Sequence, residues 1–149
     1  MDINFIDQIE YWVKIHPNKI MYKFLDQNKK VIESYTYLEF KIITDDLAKY
    51  LKKNIKVDKV VLVYPTGIDF MIALIACMKA NIIPVPVYPP NPNYLQKDLI
   101  MFCNIIKDAD IKIALTNSDY SWATTLANIK SFYSYKWPTL DWIITNNKK

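Results

Sequence analysis

The stretch from Lys59 to Tyr88 constrains the fold more than any other part of the sequence. It reads KVVLVY, then PTG, then the apolar run IDFMIALIACMKA, and after Asn81 a second apolar run, IIPVPVY. The first run is rich in β-branched residues, as expected of a strand covered on both faces, and the middle run is apolar nearly all round, as expected of a central helix. Strand, buried helix and strand within about 30 residues form a βαβ unit, so the two strands are predicted to be parallel with a right-handed crossover.

The segments on either side of this unit continue the alternation of helices and strands. Apolar residues at spacings of three and four predict amphipathic helices, and short β-branched runs between polar turns predict strands. The predicted elements are, in chain order, a helix from Phe5 to Val13, a hairpin of strands Ile20–Leu25 and Val31–Tyr37, a helix from Thr36 through Leu51, the central unit (Lys59–Tyr64, Ile68–Ala80, Ile82–Tyr88), a helix Leu95–Asp108, a strand Ile111–Leu115, a helix Asp119–Ile129 and a strand Leu140–Thr145. This pattern predicts an α/β fold, a mostly parallel sheet with flanking helices preceded by a small β-hairpin, in a single domain whose helix Ile68–Ala80 is almost wholly buried.

Two local signals fix helix ends. Thr36-Tyr-Leu-Glu39 matches the capping box, in which a hydroxyl accepts the amide three residues on and the glutamate reaches back. Asn81 stands where the central helix has to end in a left-handed residue, a position that favours glycine first and asparagine next. Asp45 and Asp46 are adjacent and point in different directions, so they are interpreted as a solvated helix face and not as an acid–base pair.

Composition excludes several kinds of site. Gly67 is the only glycine, and a phosphate-cradling loop needs several glycines so that backbone amides can approach the anion. One histidine, His16, and two separated cysteines, Cys77 and Cys103, do not make a zinc site. No catalytic, cofactor-binding or metal-ligating residue is therefore predicted within these 149 residues.

Charge and hydropathy indicate a protein that binds neither nucleic acid nor the membrane interior. The net charge is +4, and the lysines are spread along the chain without a dense basic run. The apolar run from Phe70 to Met78 is far shorter than the ~20 residues that span a bilayer, and the N-terminus lacks the features of a signal peptide. We expect a cytoplasmic protein with reduced, buried cysteines.

Residues 60–93, VVLVYPTGIDFMIALIACMKANIIPVPVYPPNPN, resemble the N-terminal domain of adenylate-forming enzymes, and most of all the fatty-acyl-AMP ligases. The flanking segments agree in order along nearly the whole chain: YKFLD and YTYLE resemble the family's opening hairpin and helix start, and KDADIKIALT and WIITN resemble two of its later strands. The sequence departs from the family pattern at three positions. Thr66 stands where a second proline is common, Asn81 replaces a glycine, and Asn146 replaces an aspartate and so removes a charge.

The resemblance implies that residues 1–149 are the N-terminal part of an AMP-binding, acyl-adenylating domain. The ATP loop and the C-terminal domain of the family would lie outside them. The parent enzyme would use ATP and Mg²⁺ to convert a fatty acid to acyl-adenylate and pass the acyl group to an acyl carrier protein. The alternatives are an acyl-CoA synthetase, a peptide-synthetase adenylation domain, or a non-catalytic module that binds a partner. We expect the 149-residue chain alone to need no cofactor, to be inactive, and to expose apolar surface that favours self-association or contact with the rest of the parent enzyme.

The segment IIPVPVYPPNPN holds five of the eight prolines. Pro84 and Pro86 are expected to make a short strand leave the sheet early, and the prolines that follow are expected to hold the exit extended. In the related acyl-CoA synthetases the corresponding region lies near the channel for the pantetheine arm. Tyr88, Pro89 and Pro90 are therefore candidates for shaping access of the acyl acceptor, and the alternative is a rigid loop that serves only the fold.

Overall fold

The computed structural model describes residues 4–91, 95–123 and 137–146. Their elements are α1 (Phe5–Ile15), β1 (Ile20–Leu25), β2 (Val31–Thr36), α2 (Tyr37–Asn54), β3 (Lys59–Leu62), α3 (Ile68–Lys79), β4 (Ile83–Pro86), α4 (Leu95–Asp108), β5 (Ile113–Thr116) and β6 (Asp141–Ile144). Residues 118–123 are also helical, as the first part of the predicted helix Asp119–Ile129; the rest of that helix lies outside the described residues.

The predicted parallel sheet is confirmed. Its four strands lie in the order β4-β3-β5-β6, and every neighbouring pair is parallel. Val61 of β3 stands opposite Val85 on one side and Ala114 on the other, so β3 is a central strand. The predicted hairpin is also present, because β1 and β2 pair antiparallel as a separate two-stranded sheet.

Alternate residues of β3 face two different parts of the core. Val60 and Leu62 pack with buried residues of α1, α2 and α3, whereas Val61 and Val63 pack with buried residues of α4. A strand with helices on both faces needs apolar side chains at every position, because its side chains alternate between the faces. This explains the unbroken apolar run that the sequence shows at this point.

The central helix α3 is largely buried, as predicted. Its buried residues are Ile68, Ile72, Ala73, Ile75, Ala76 and Cys77. One flank reaches the surface, since the Met78 side chain is 39% exposed. Burial raises the pKa of the Cys77 thiol to about 12, so that cysteine stays protonated and is a poor nucleophile. Cys103 of α4 is half-buried, so the prediction of burial holds fully only for Cys77.

The predicted helix ends are confirmed in atomic detail. Thr36 Oγ1 accepts from the amide of Glu39 at 3.2 Å, and Glu39 Oε2 accepts from the amide of Thr36 at 2.8 Å, which is the capping box. Asn81 has φ of 58°, in the left-handed region, and the amide of Ile82 donates to the carbonyl of Cys77 at 2.9 Å. This is the Schellman arrangement that ends helices at a left-handed residue.

Most strands of the described residues begin or end one or two residues from their predicted bounds. Asp110, which the sequence did not single out, is also left-handed, with φ of 47°. The next amide, that of Ile111, therefore bonds to the carbonyl of Ile106 in the closing turn of α4, and β5 begins later than predicted. β4 ends at Pro86, two residues before its predicted end at Tyr88, so the strand is short as expected, although both prolines lie inside it and the amide of Val87 still bonds to the carbonyl of Leu62 at 3.3 Å.

Candidate functional site

A cleft of about 800 Å³ lies at the carboxyl edge of the parallel sheet. Its walls come from the loops that follow β3 and β4, the first turn of α3, the hairpin and the helix 118–123. The lining residues are Phe24, Tyr64, Pro65, Thr66, Gly67, Phe70, Met71, Pro86, Val87, Tyr88, Pro89, Pro90, Asn91 and Tyr120. Ligands of open parallel sheets bind outside the carboxyl ends of the strands, so the fold places this cleft where a ligand site is expected.

A chain of buried hydrogen bonds holds the floor of the cleft. The Tyr64 hydroxyl and Thr145 Oγ1 are 2.8 Å apart. Thr145 Oγ1 donates its single proton to the carbonyl of Thr116 at 3.2 Å, so Tyr64 donates to Thr145. Thr116 Oγ1 in turn donates to the carbonyl of Val63 at 2.7 Å. Burial raises the pKa of Tyr64 well above its usual range, so this ring is a neutral structural donor and not a base.

The three residues predicted to shape acceptor access lie together on one wall of the cleft. Tyr88 is 77% exposed beside the cleft mouth, Pro89 is half-buried and Pro90 is buried. The Pro90 carbonyl accepts a hydrogen bond from the Tyr120 hydroxyl at 2.8 Å. The exit from β4 is therefore tied to the helix 118–123, and its stiffness comes from this bond as well as from the prolines.

Tyr120 is a site residue that the sequence did not reveal. Asn117 positions it, because Asn117 Oδ1 accepts from the amide of Tyr120 at 3.1 Å while Asn117 Nδ2 donates to Asp69 Oδ2 at 3.0 Å. Burial, and secondarily the charge of Asp98, raises the pKa of Tyr120, so its hydroxyl stays protonated and can donate. The sequence predicts a helix from Asp119, but the bond from Asn117 to Asp69 spans 48 residues and no local pattern encodes it.

Ser118 is paired with one of the positions at which the sequence departs from the family. Asn146 Oδ1 accepts from the amide of Ser118 at 3.1 Å, and Asn146 Nδ2 donates to Ser118 Oγ at 2.9 Å. An aspartate could accept both bonds if the serine hydroxyl turned round, so the amide and the carboxylate fill the same structural place. What the asparagine lacks is the negative charge beside a helix N-terminus.

Among the residues that the structure describes, the lining of the cleft carries no charged side chain. It offers aromatic rings, proline rings, the Thr66 hydroxyl and the Asn91 side chain, all of which suit an uncharged and largely apolar ligand segment. Among residues 4–91, 95–123 and 137–146, no group of three or more acidic, histidine or cysteine side chains could hold a metal ion. Over the same residues, no helix is long and apolar enough to cross a membrane.

Among the ion pairs of the described residues, the most buried lysine is Lys79, which lies at the far end of α3 from the cleft. Lys79 Nζ donates to Asp45 Oδ1 at 2.7 Å, to Thr44 Oγ1 at 3.1 Å and to Glu10 Oε1 at 3.4 Å. Lys41 bridges the same two carboxylates, at 2.9 Å from Glu10 and 2.6 Å from Asp45. We call these five residues the Lys79 cluster. Lys79 ends a helix whose other end borders the cleft about 18 Å away, so the cluster joins helices and does not contact a ligand there.

The Lys79 cluster corrects one interpretation of the sequence. Asp45 was interpreted as solvated, but its side chain is only 31% exposed and it bonds two lysines. Burial by itself would raise the pKa of Asp45, but the hydrogen bonds from Lys41 and Lys79 outweigh it and hold that pKa below its ordinary value. Lys79 has two acidic partners, Glu10 and Asp45, which lie 69 and 34 residues away in the sequence. Asp46 does lie on the solvated face, paired only with exposed Lys49.

The sequence from Tyr133 to Pro138 is aromatic and, without neighbouring cationic density, indicates ordinary packing and not a base-stacking platform. Residues 133–136 lie outside the described residues. Trp137 is half-buried and packs edge-to-face on Phe102 and Trp142, with ring centroids 6.0 and 5.9 Å apart. The described part of the loop therefore packs against α4 and β6.

The hydroxyl of Tyr120 provides a direct test of how the cleft wall is held. We expect Tyr120→Phe to lower the free energy of unfolding by about 1 to 2 kcal/mol, because the variant leaves the buried Pro90 carbonyl without this donor. Urea denaturation followed by tryptophan fluorescence measures the change. Tyr88→Phe is the matched control: it removes a hydroxyl from an exposed ring of the same loop, and we expect a change within about 0.5 kcal/mol. Equal effects of the two substitutions would contradict the anchoring role of Tyr120.

Comparisons with known proteins identify one matching family model and several proteins of similar sequence or fold. A family model described as AMP-binding enzyme matches residues 9–140. The medium-chain-fatty-acid–[acyl-carrier-protein] ligase JamA of Moorena producens is 28% identical over 145 residues, which is 95% of this chain and 24% of that protein. The fatty acid AMP ligase of Legionella pneumophila has the same fold, with a TM-score of 0.76 and 24% identity over 97% of this chain and 23% of that structure. McyG A-PCP, solved with phenylalanyl-adenylate, also shares the fold, with a TM-score of 0.74 and 21% identity over 99% of this chain and 23% of that structure. The chain thus spans about a quarter of the length of these relatives.

Proposed function

The chain belongs to the family of AMP-binding enzymes, and from this membership we propose that it forms the N-terminal part of a fatty-acyl-AMP ligase. The complete enzyme would activate a fatty acid with ATP to an acyl-adenylate and transfer the acyl group to a carrier protein. The relative JamA is a ligase of medium-chain fatty acids and an acyl carrier protein, and its similarity runs through almost the whole of this chain. The ATP loop and the C-terminal domain of the enzyme would be supplied from outside residues 1–149.

The observation that carries this proposal is the uncharged cleft at the carboxyl edge of the sheet. A triphosphate needs cations and backbone amides around it, whereas an acyl chain or the arm that carries it needs apolar walls. Its described lining offers rings of tyrosine, phenylalanine and proline and no lysine. These residues would therefore bind the organic part of the reaction, and ATP with Mg²⁺ would supply the phosphoryl chemistry elsewhere in the complete enzyme.

Within the cleft, Tyr88, Pro89 and Pro90 would form the wall that meets the acyl acceptor. Pro89 and Pro90 have fixed φ angles, and the bond from Tyr120 to the Pro90 carbonyl fixes the end of the segment, so the wall keeps one shape. Tyr88 is its exposed ring and is the side chain best placed to touch a ligand that enters from solvent. A preformed wall of this kind lowers the entropy that is lost when a flexible ligand binds.

Two other activities are alternatives for a protein of this fold, and each differs from the proposed one in its substrate or acyl acceptor. A peptide-synthetase adenylation domain would activate an amino acid, as the likeness to McyG A-PCP allows at the level of the fold. An acyl-CoA synthetase would activate a fatty acid but pass it to coenzyme A. The carrier-protein ligase is preferred because JamA, matched over 95% of this chain, transfers to an acyl carrier protein.

The test is to express the complete reading frame that contains these codons and to measure ATP–pyrophosphate exchange with fatty acids of several lengths. We expect fatty-acid-dependent exchange, followed by acyl transfer to a carrier protein and not to coenzyme A. Exchange with amino acids alone, transfer to coenzyme A, or no exchange with any acid would each overturn the proposal in favour of one of the alternatives.

One substitution tests the role of the acceptor wall separately. We expect Tyr88→Ala to lower the rate of acyl transfer to the carrier protein more than the rate of exchange, because adenylate formation precedes arrival of the acceptor. Tyr11→Ala removes a tyrosine ring that is 53% exposed on α1, away from the cleft, and should change neither rate. An equal loss of both rates in Tyr88→Ala would count against a role at the acceptor.

A further inference from the structure

The two sides of β4 differ in their backbone hydrogen-bonding groups. The amide of Ile83 donates to the carbonyl of Asp58 at 2.7 Å, and the amide of Val87 donates to the carbonyl of Leu62 at 3.3 Å. Successive amides of a strand point to opposite sides, and Val85 stands in register with Val61, so the amide of Val85 also faces β3. The residues between them, at positions 84 and 86, are the ones whose amides would face away from the sheet.

Both of those positions are proline, and proline has no amide proton. In the part of the chain that the structure describes, β4 is the first strand of the sheet and no strand pairs with its outer side. That side therefore presents carbonyl oxygens at Pro84 and Pro86 and no donor between them. At the opposite end of the sheet, the same alternation points the amides of Trp142 and Ile144 away from β5, since those of Asp141 and Thr145 bond to it, and both keep their protons.

We propose that Pro84 and Pro86 close this edge of the sheet against a second copy of the chain. An exposed strand edge is a template for pairing with another chain, and the strand here is apolar and carries Ile83 at 58% exposure. Self-pairing of two such edges about a two-fold axis would bring acceptors opposite acceptors, because each copy offers the same surface. Such a pair would form no hydrogen bond across these positions, which leaves it without the interactions that hold strands together.

The positions of the two prolines along β4 support this role over that of a merely stiff loop. Stiffness would be served equally well by proline at any position of the segment. A proline at position 83, 85 or 87 would remove a bond to β3, whereas positions 84 and 86 cost the sheet nothing. Both prolines of β4 stand at positions whose amides would point away from β3. The strand therefore keeps its hydrogen bonds to β3 and loses only the donors on its outer side.

The test restores the missing donors. We expect the double variant Pro84→Val, Pro86→Val to self-associate at least tenfold more tightly than the natural chain in sedimentation-velocity runs over a concentration series. Pro17→Val, which replaces a proline in the turn after α1 by the same residue, controls for the added apolar surface and should behave like the natural chain. Equal self-association of the double variant and the natural chain would overturn the proposal.

Hydrogen exchange gives a second readout on the same variant. In dilute solution the amides of residues 84 and 86 should exchange as fast as unprotected ones while that of Val85 is protected, and all three should be protected once the variant associates. Protection at position 84 in the dilute monomer would show that the edge does not face outward and would also overturn the proposal. Val85→Pro places a proline at a position whose amide faces β3, so the amides that bond β4 to β3 should lose their protection from exchange. If they stay protected, the assignment of which amides face β3 is contradicted.

Discussion

Replacing Lys79 by methionine is expected to lower the free energy of unfolding by about 2 to 3 kcal/mol. The Lys79 side chain is only 8% exposed and is the central donor to Asp45, Glu10 and Thr44, so its loss leaves two carboxylates with a single cation. Removing one partner of a fully buried pair costs about 3 to 5 kcal/mol. The expected loss is smaller here because Lys41 still bonds both carboxylates and because these are about one-third exposed to solvent. Urea denaturation at neutral pH measures the difference.

A control substitution and the pH dependence show whether the loss of stability in Lys79→Met comes from its ion pairs. Lys49→Met breaks an ion pair whose side chains are 77% and 54% exposed, and we expect a change within about 0.5 kcal/mol. The folded-state pKa of Asp45 lies below its ordinary value of 3.8, so its ion pairs stabilise the fold above that pH and stop doing so as the pH falls through the lowered pKa. The gap in stability between the natural chain and Lys79→Met should therefore narrow below about pH 4. A gap of the same size at pH 3 and pH 7 would show that it does not arise from these charges.

The purified 149-residue chain is expected to catalyse no fatty-acid-dependent ATP–pyrophosphate exchange above a heat-inactivated control. Adenylation needs positioned donors and cations around the phosphates, and removing one such donor from an enzyme already costs about 10²- to 10³-fold in rate. Here the cleft lining has no charged side chain among the described residues, and the chain has a single glycine and no arginine. We therefore expect the phosphate contacts to come from outside these residues.

This expectation is checked with the isolated chain across several acyl lengths, next to the complete enzyme as a positive control. Exchange that exceeds the heat-inactivated sample would place a phosphate site within residues 1–149. In that case Lys79 would be the first residue to substitute, because it is the most buried cation among the ion pairs of the described residues. Loss of that exchange in Lys79→Met, with the fold retained, would then assign the Lys79 cluster a role in the reaction.

Much of the fold could be predicted because its signals are local. The apolar run from Lys59 to Leu62 has to be covered on both faces, wherever the rest of the chain packs. The helix α3 is long enough to connect two parallel strands, so a parallel crossover is the simplest connection. The capping box at Thr36 and the left-handed Asn81 also depend only on residues a few positions away. Each of these predictions is confirmed because backbone sterics and periodicity act within a single element.

The sequence by itself determined the class of the fold, the parallel order of its central strands and the absence of a glycine-rich phosphate loop. Only the tertiary structure decided which polar side chains meet. Lys79 and Asp45 are 34 residues apart, and Tyr120 and Pro90 are 30 apart, and these contacts made the Lys79 cluster and the anchored cleft wall. That positions 84 and 86 face away from the sheet likewise became known only from the side on which β3 lies. The physical reason is the sequence distance over which each interaction acts. Steric and hydrophobic patterns recur every two to four residues and can be recognised locally. A hydrogen bond or ion pair between two elements exists only once packing has brought its two atoms within about 3 Å.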